Sequence, residues 1–201
     1  MIDGEDAATR PLDGRRQRTV DSRARIIAAM MELAQEGHVT VSAELVAERA
    51  KVGLRTVFRH FKDMDSLYRE MSLAIESRLR DEISLEFVAA DRRGRMHELI
   101  ARRAAMYERI APFKRAEAAQ RHRSRWLEQD AARVTALLRG ILRQALPAAL
   151  ADDWVLFEAL DLAISYEAWD RLRREQGLDA ARARRVVEQV VDALLASAPE
   201  A

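Results

Sequence analysis

The sequence predicts an all-α fold, and three observations predict it. Alanine occurs 36 times and arginine supplies almost all of the positive charge; both residues favour helix. Glycine (7) and proline (4) are sparse: Gly4, Pro11 and Gly14 lie near the N-terminus, and the rest fall at intervals, at Gly37, Gly53, Gly94, Pro112, Gly140, Pro147, Gly177 and Pro199. Between them apolar residues recur at helical spacing, and no segment alternates as a half-buried strand would.

Taken in order, residues 1–18 lack apolar periodicity and read as a flexible arm containing arginines. From about Thr19 the pattern turns helical through Ile26, Ile27, Met30, Leu33 and Ala34, and Gly37 is the expected C-cap. Ser42 is a good N-cap for a short helix through Leu45, Val46 and Ala50, which Val52-Gly53 interrupts. A third short helix carries Val57, Phe58 and Phe61, and a fourth, over about Asp65–Leu79, carries Leu67, Met71, Ile75 and Leu79. Met96–Ile110 forms the next helix, expected to end near Pro112, where proline removes a donor and clashes with the preceding turn. A long helix is expected from Phe113 to about Leu146, another from about Asp152 to Glu175, and a last one capped by Asp179.

The composition also excludes. Of 201 residues 49% are apolar, enough for a core, while 34 basic and 33 acidic side chains leave a net charge of +1. A uniformly basic coat and an acidic tail are therefore both excluded. The chain has no cysteine, so no disulfide framework or thiolate metal site is expected. His38, His60, His97 and His122 stand singly without metal-ligand spacing, so neither a metal nor a cofactor is expected. Nothing resembles a signal peptide or a membrane span, and a cytoplasmic protein is expected. No nucleophile–base pair or phosphate loop suggests an enzyme.

Charge is distributed unevenly. Between Arg49 and Lys62 there are five basic residues, no acidic ones and one histidine. Two short helices joined by a tight turn form a helix-turn-helix, whose second helix can enter a major groove. Basic charge concentrated there has a reason to meet phosphate. Arg10, Arg15, Arg16, Arg18, Arg23 and Arg25 add to it, against Asp13 and Asp21, and the arm is a candidate for an adjacent minor groove.

The order of residues over about 23–68 resembles the TetR-like family of bacterial transcriptional regulators. The likeness runs through Arg25-Ile26-Ile27-Ala28-Ala29, Gly37 to Ser42, Val46-Ala47, Ala50, Thr56-Val57-Phe58-Arg59-His60-Phe61 and Leu67. Three positions depart: Lys51 stands where the family usually has the turn glycine, Gly53 where it has an N-cap serine, and Met64 where it has a backbone-touching lysine. The resemblance implies a helix-turn-helix DNA-binding domain over 19–64 and a helical ligand-binding and dimerisation domain over 65–201. Leu54, Arg55 and Thr56 would reach base edges, Arg55 by a bidentate bond to guanine. Thr56 would touch a thymine methyl or a phosphate, or cap the helix. Arg59, His60 and Lys62 would meet phosphates, Phe58 stands where many relatives have tyrosine, and Ser42, the N-cap of the second helix, would also contact DNA. Glu44 near that helix's start is often a DNA-facing position, where a carboxylate could equally repel phosphate.

For the second domain the expected ligand-facing residues are Arg103, Met106, His122, Trp126, Phe157 and Asp161. Arg103 interrupts an apolar stripe, and is either the counter-charge of an acidic ligand or half of an internal ion pair with Glu117 or Asp161. The dimer face is expected at Leu156, Leu160, Ala163, Ile164, Val186, Val187, Val190 and Leu194. The implied partners are a double-stranded DNA operator, a small-molecule effector and a second copy of the chain, with no membrane. The rival reading is a helical interaction module that keeps the fold without sequence-specific DNA binding.

Overall fold

The computed structural model describes residues 10–83, 86–122 and 124–198. Among them every regular element is helical: α1 (Arg10–Gln35), α2 (Ala43–Arg49), α3 (Leu54–His60), α4 (Met64–Ile83), α5 (Arg92–Arg121), α6 (Arg125–Ala145), α7 (Ala148–Asp152), α8 (Trp154–Ala163), α9 (Tyr166–Asp170) and α10 (Ala180–Ala196). The chain divides into two compact units. The first runs to Ala74 and includes Pro112–Leu127; the second holds Ile75–Ala111 and the chain from Glu128 onward.

In the first unit α1, α2 and α3 pack on one another. Ile26, Met30 and Leu33 of α1, Val46 of α2, Val57 of α3 and Leu67 and Met71 of α4 are all fully buried. α1 ends as expected: Gly37 takes φ +92°, its N–H donates to Ala34 and that of His38 to Leu33, both at 3.0 Å. Only glycine adopts that backbone without a side-chain clash. The start of α1 differs from expectation. Residues 1–9 lie outside the described residues, but 10–18 are helical rather than an arm. Arginine, leucine and glutamine favour helix, and Pro11 sits in a first turn where its missing N–H costs nothing.

Two further boundaries move. α5 continues through Pro112 to Arg121, so the proline does not end it. The break comes instead before Ser124, whose hydroxyl accepts from Leu127 N–H at 3.1 Å and caps α6. In the second unit the helix expected over Asp152–Glu175 is three pieces. α8 starts on Asp153, which accepts from the N–H groups of Val155 and Leu156, and α9 starts on Ser165, which accepts from Ala168 N–H at 3.1 Å. A π-helical turn at Arg171–Glu175 follows, and Gly177 at φ +68° ends the run. The unit's core gathers Met96, Ile100 and Tyr107 with Leu142, Leu160, Trp169 and Val191.

Candidate nucleic-acid interface

α2 and α3 form the helix-turn-helix. α2 begins at Ser42, whose hydroxyl accepts from Leu45 N–H at 3.3 Å. Ser42 therefore spends one acceptor on the cap while remaining exposed. α2 ends in the same motif as α1: Lys51 N–H donates to Glu48 and Val52 N–H to Ala47. Lys51 occupies the left-handed position at φ 53°, so the turn keeps the glycine geometry and strains a lysine to do so. Gly53 caps α3 without a side-chain bond.

α3 buries Val57 and presents Arg55, Arg59, Leu54 and Phe58 to solvent, with Phe58 49% exposed. Thr56 is half-buried in the first turn. The five cations of the segment are not equivalent. Arg49 is held by both oxygens of Glu36 at 2.7 Å, with Glu32 3.6 Å away; the Arg49 guanidinium in turn holds the Glu36 carboxyl below the usual range. Among the described residues Lys51, Arg55, Arg59 and Lys62 form no ion pair. These four are the cations left for phosphate.

His60 fits its expected part less well. Its Nε2 is buried without a hydrogen-bond partner. Burial, with Arg59 and Arg23 nearby, lowers its pKa and favours the neutral ring. Arg23 lies over the Phe61 ring, 5.3 Å from its centre, and pairs with Glu70 at 2.8 Å. That contact ties α1 to the end of α3, and nothing in the local sequence announced it.

Residues 26–71 match the profile of bacterial regulatory proteins of the tetR family. The match covers the helix-turn-helix and the start of α4, under a quarter of the chain. A transcriptional regulator from Rhodococcus sp. Rha1 has a similar fold, with a TM-score of 0.71 and 18% identity over 90% of this chain and 99% of that one. A TetR transcriptional regulator from the same organism matches with a TM-score of 0.57 and 19% identity over 92% of this chain and 100% of that one. No curated protein matches the sequence. Among the described residues no helix is long and apolar enough to cross a membrane, and no three His, Asp or Glu side chains gather to hold a metal.

Beyond residues 26–71 the expected ligand residues are divided between the two units. His122 and Trp126 belong to the first unit, and the break after Arg121 removes the shared helix on which they were spaced. His122 is exposed, and Arg69 lies over the Trp126 ring at 5.3 Å. Arg103, Met106, Phe157 and Asp161 belong to the second unit. Met106 and Phe157 are core residues, and the Phe157 ring is covered by Arg139 and Arg143 at 4.9 and 4.8 Å.

Arg103 is 4% exposed, and its main partners are backbone carbonyls. It donates to Ile164 O at 3.1 Å and Leu138 O at 2.7 Å, with Asp161 at 3.9 Å. Tyr107 donates to the same Ile164 carbonyl at 3.0 Å, and burial pushes its phenol up to about 12. The Arg103 Nε has no partner. A cavity with room for about one water molecule adjoins it, lined also by Tyr107, Ser165 and Trp169. Sequence reasoning missed these last three. Tyr107 was within reach of it, four residues from Arg103 on one helix face.

The expected dimer face also divides. Leu156, Leu160, Ile164 and Val187 are buried within the protomer, whereas Val186 and Val190 are 40% and 44% exposed; Ala163 and Leu194 are half-buried. The large exposed apolar side chains of α8 are Trp154 (75%), Val155 (57%) and Leu162 (69%).

Proposed function

We propose that the protein is a homodimeric transcriptional repressor that binds a palindromic operator through α3 and is released by a small-molecule effector. The observation that carries this reading is a recognition helix whose exposed face holds Arg55 and Arg59 without acidic partners, on a TetR-type domain. Arg55 specifies by a bidentate bond to guanine, while Arg59 and Lys62 position the helix on phosphates. Two-fold pairing sets two such helices about one DNA turn apart, which a palindrome matches. α8 and α10, in contact with each other, support the pairing through exposed Leu162, Trp154, Val186 and Val190. The effector enters the second unit beside Arg103, where the present cavity is too small for it, so the helices must part. A ligand that prefers the parted state by about 1–3 kcal/mol lowers DNA affinity roughly five- to 150-fold.

The test is an anisotropy titration on a duplex that the protein itself selects from a random pool, against a scrambled duplex. Arg55→Ala loses about 1–3 kcal/mol of discrimination, roughly five- to 150-fold, and keeps its affinity for the scrambled duplex. If wild type and Arg55→Ala bind both duplexes alike, the protein is instead a helical interaction module without sequence-specific DNA binding.

A further inference from the structure

Arg103 carries a buried positive charge whose close partners are neutral. The side chain is 4% exposed, and its bonds run to the carbonyls of Ile164 at 3.1 Å and Leu138 at 2.7 Å. One carboxylate stands near it: Asp161 Oδ1 lies 3.9 Å from Nη1, while Asp161 Oδ2 pairs with Arg139 at 2.9 Å. Two dipoles and a shared carboxylate at that range leave much of the charge uncompensated, and a buried charge is costly unless it is paired.

The Nε of Arg103 is buried without a partner. Arg103 also lines a cavity with room for about one water molecule, whose wall includes Ile100, Ala104, Tyr107, Trp169 and Val187. The donors of that wall other than Arg103 are committed. Tyr107 donates to the Ile164 carbonyl at 3.0 Å, and the Trp169 indole N–H to Glu108 at 2.8 Å. A water there would need two to four polar partners and would bring no charge. A carboxylate brings the charge. One of its oxygens accepts from Nε and the other from an adjacent Nη, in the fork that a planar guanidinium offers. The apolar remainder of the wall suits an apolar body behind that group.

We infer that Arg103 is the receptor of a carboxylate, so that the ligand of the second unit is a monocarboxylic acid with an apolar body. The inference rests on the effector reading above and gives that effector its chemical class. It also supplies a route for the signal. Ile164 is the C-cap of α8, and its carbonyl is one that Arg103 serves. A carboxylate that draws on the guanidinium competes with this carbonyl and loosens the end of α8 as the acid enters.

The experiment follows thermal unfolding of the full chain by helical circular dichroism in chloride-free buffer. The probes are butyrate, hexanoate, octanoate and benzoate, each against its primary amide, with sodium formate and sodium chloride as small anions. The best acid raises the midpoint by an amount that grows with the logarithm of its concentration. Its amide, which offers no charge to Arg103, binds roughly ten- to 150-fold more weakly. Arg103→Met abolishes the difference between acid and amide. Because that variant also loses two buried bonds, Ala104→Val is the second: it narrows the cavity, leaves Arg103 its carbonyls and weakens the acid by about tenfold or more. An acid that binds less than about fivefold tighter than its amide overturns the inference and leaves a neutral effector. Chloride or formate that stabilises as well as the best acid overturns it in favour of a free small ion, and so does a midpoint that no acid raises. These readings need no DNA. An acid that binds through Arg103 but leaves affinity for the selected duplex unchanged upholds the carboxylate site and overturns the effector reading, whereas intact duplex selection with no acid bound overturns this inference alone.

Discussion

Lys51 is where the helix-turn-helix carries a measurable cost. Its φ of 53° brings its Cβ against its own backbone, a conformation that glycine adopts freely. The turn still closes, because the carbonyls of Glu48 and Ala47 gain donors there and the fully buried Val46 fixes α2 against its neighbours. Lys51→Gly should relieve the strain and, after the added chain entropy of the unfolded state, stabilise the domain by about 0.5–1 kcal/mol. Chemical denaturation read by helical circular dichroism measures it; an unfolding midpoint that fails to rise means the lysine is unstrained. Arg49 teaches the complementary lesson. Counted in the sequence it is one more cation for DNA, yet two carboxylates already face it, so a charge count overstates the surface that phosphate meets.

Among the elements, the interruption between α8 and α9 decides how the second unit is built. Ending α8 at Ala163 leaves the Ile164 carbonyl turned toward α5, where Arg103 and Tyr107 both donate to it. Arg103 thereby caps a helix end and ties it to Leu138 of α6, so three helices depend on one buried side chain. Arg103→Met should cost about 2–4 kcal/mol, because two buried carbonyls lose a charged donor, and Tyr107→Phe should cost about 1 kcal/mol, because Arg103 still serves Ile164. Denaturant titration of the two variants tests the order; equal losses would mean that the guanidinium contributes no more than the phenol. The same interruption marks the limit of what the sequence could disclose. α1 to α4 were legible because their stops are local: a glycine at Gly37, a hydroxyl cap at Ser42, buried residues at helical spacing. Ser165 lies inside an unbroken apolar pattern, and the groups that make a break tolerable there sit 61 and 57 residues before the Ile164 carbonyl they serve. Pro112 misled for a related reason. A proline removes one helical bond, a loss of about 3 kcal/mol that packing along both flanking turns can offset, and only the tertiary contacts decide which prevails.

For the molecule as a whole, the proposed homodimer needs apolar surface that the protomer leaves exposed. α8 is apolar nearly all round, so periodicity alone cannot say which side faces its own core. Leu156 and Leu160 face inward, which leaves Trp154, Val155 and Leu162 on the solvent side, while on α10 Val187 and Val191 are buried with Val186 and Val190 outside. Exposed apolar side chains on two neighbouring helices are costly for a monomer and suit a self-complementary two-fold interface. If the proposed dimer pairs through α8 and α10, Leu162→Glu and Val190→Glu should each convert it to a monomer, since an isologous contact brings the new carboxylate into the interface twice. Both positions are outside the protomer core, so helical content and unfolding cooperativity should stay near wild type. Affinity for a palindromic duplex should fall by more than tenfold, while binding to a single half-site should not change. Sedimentation velocity combined with half-site and full-site titrations tests each part. Variants that remain dimeric would move the interface away from α8 and α10. Monomeric variants that keep full-site affinity would show that each TetR-type domain binds DNA independently of its partner.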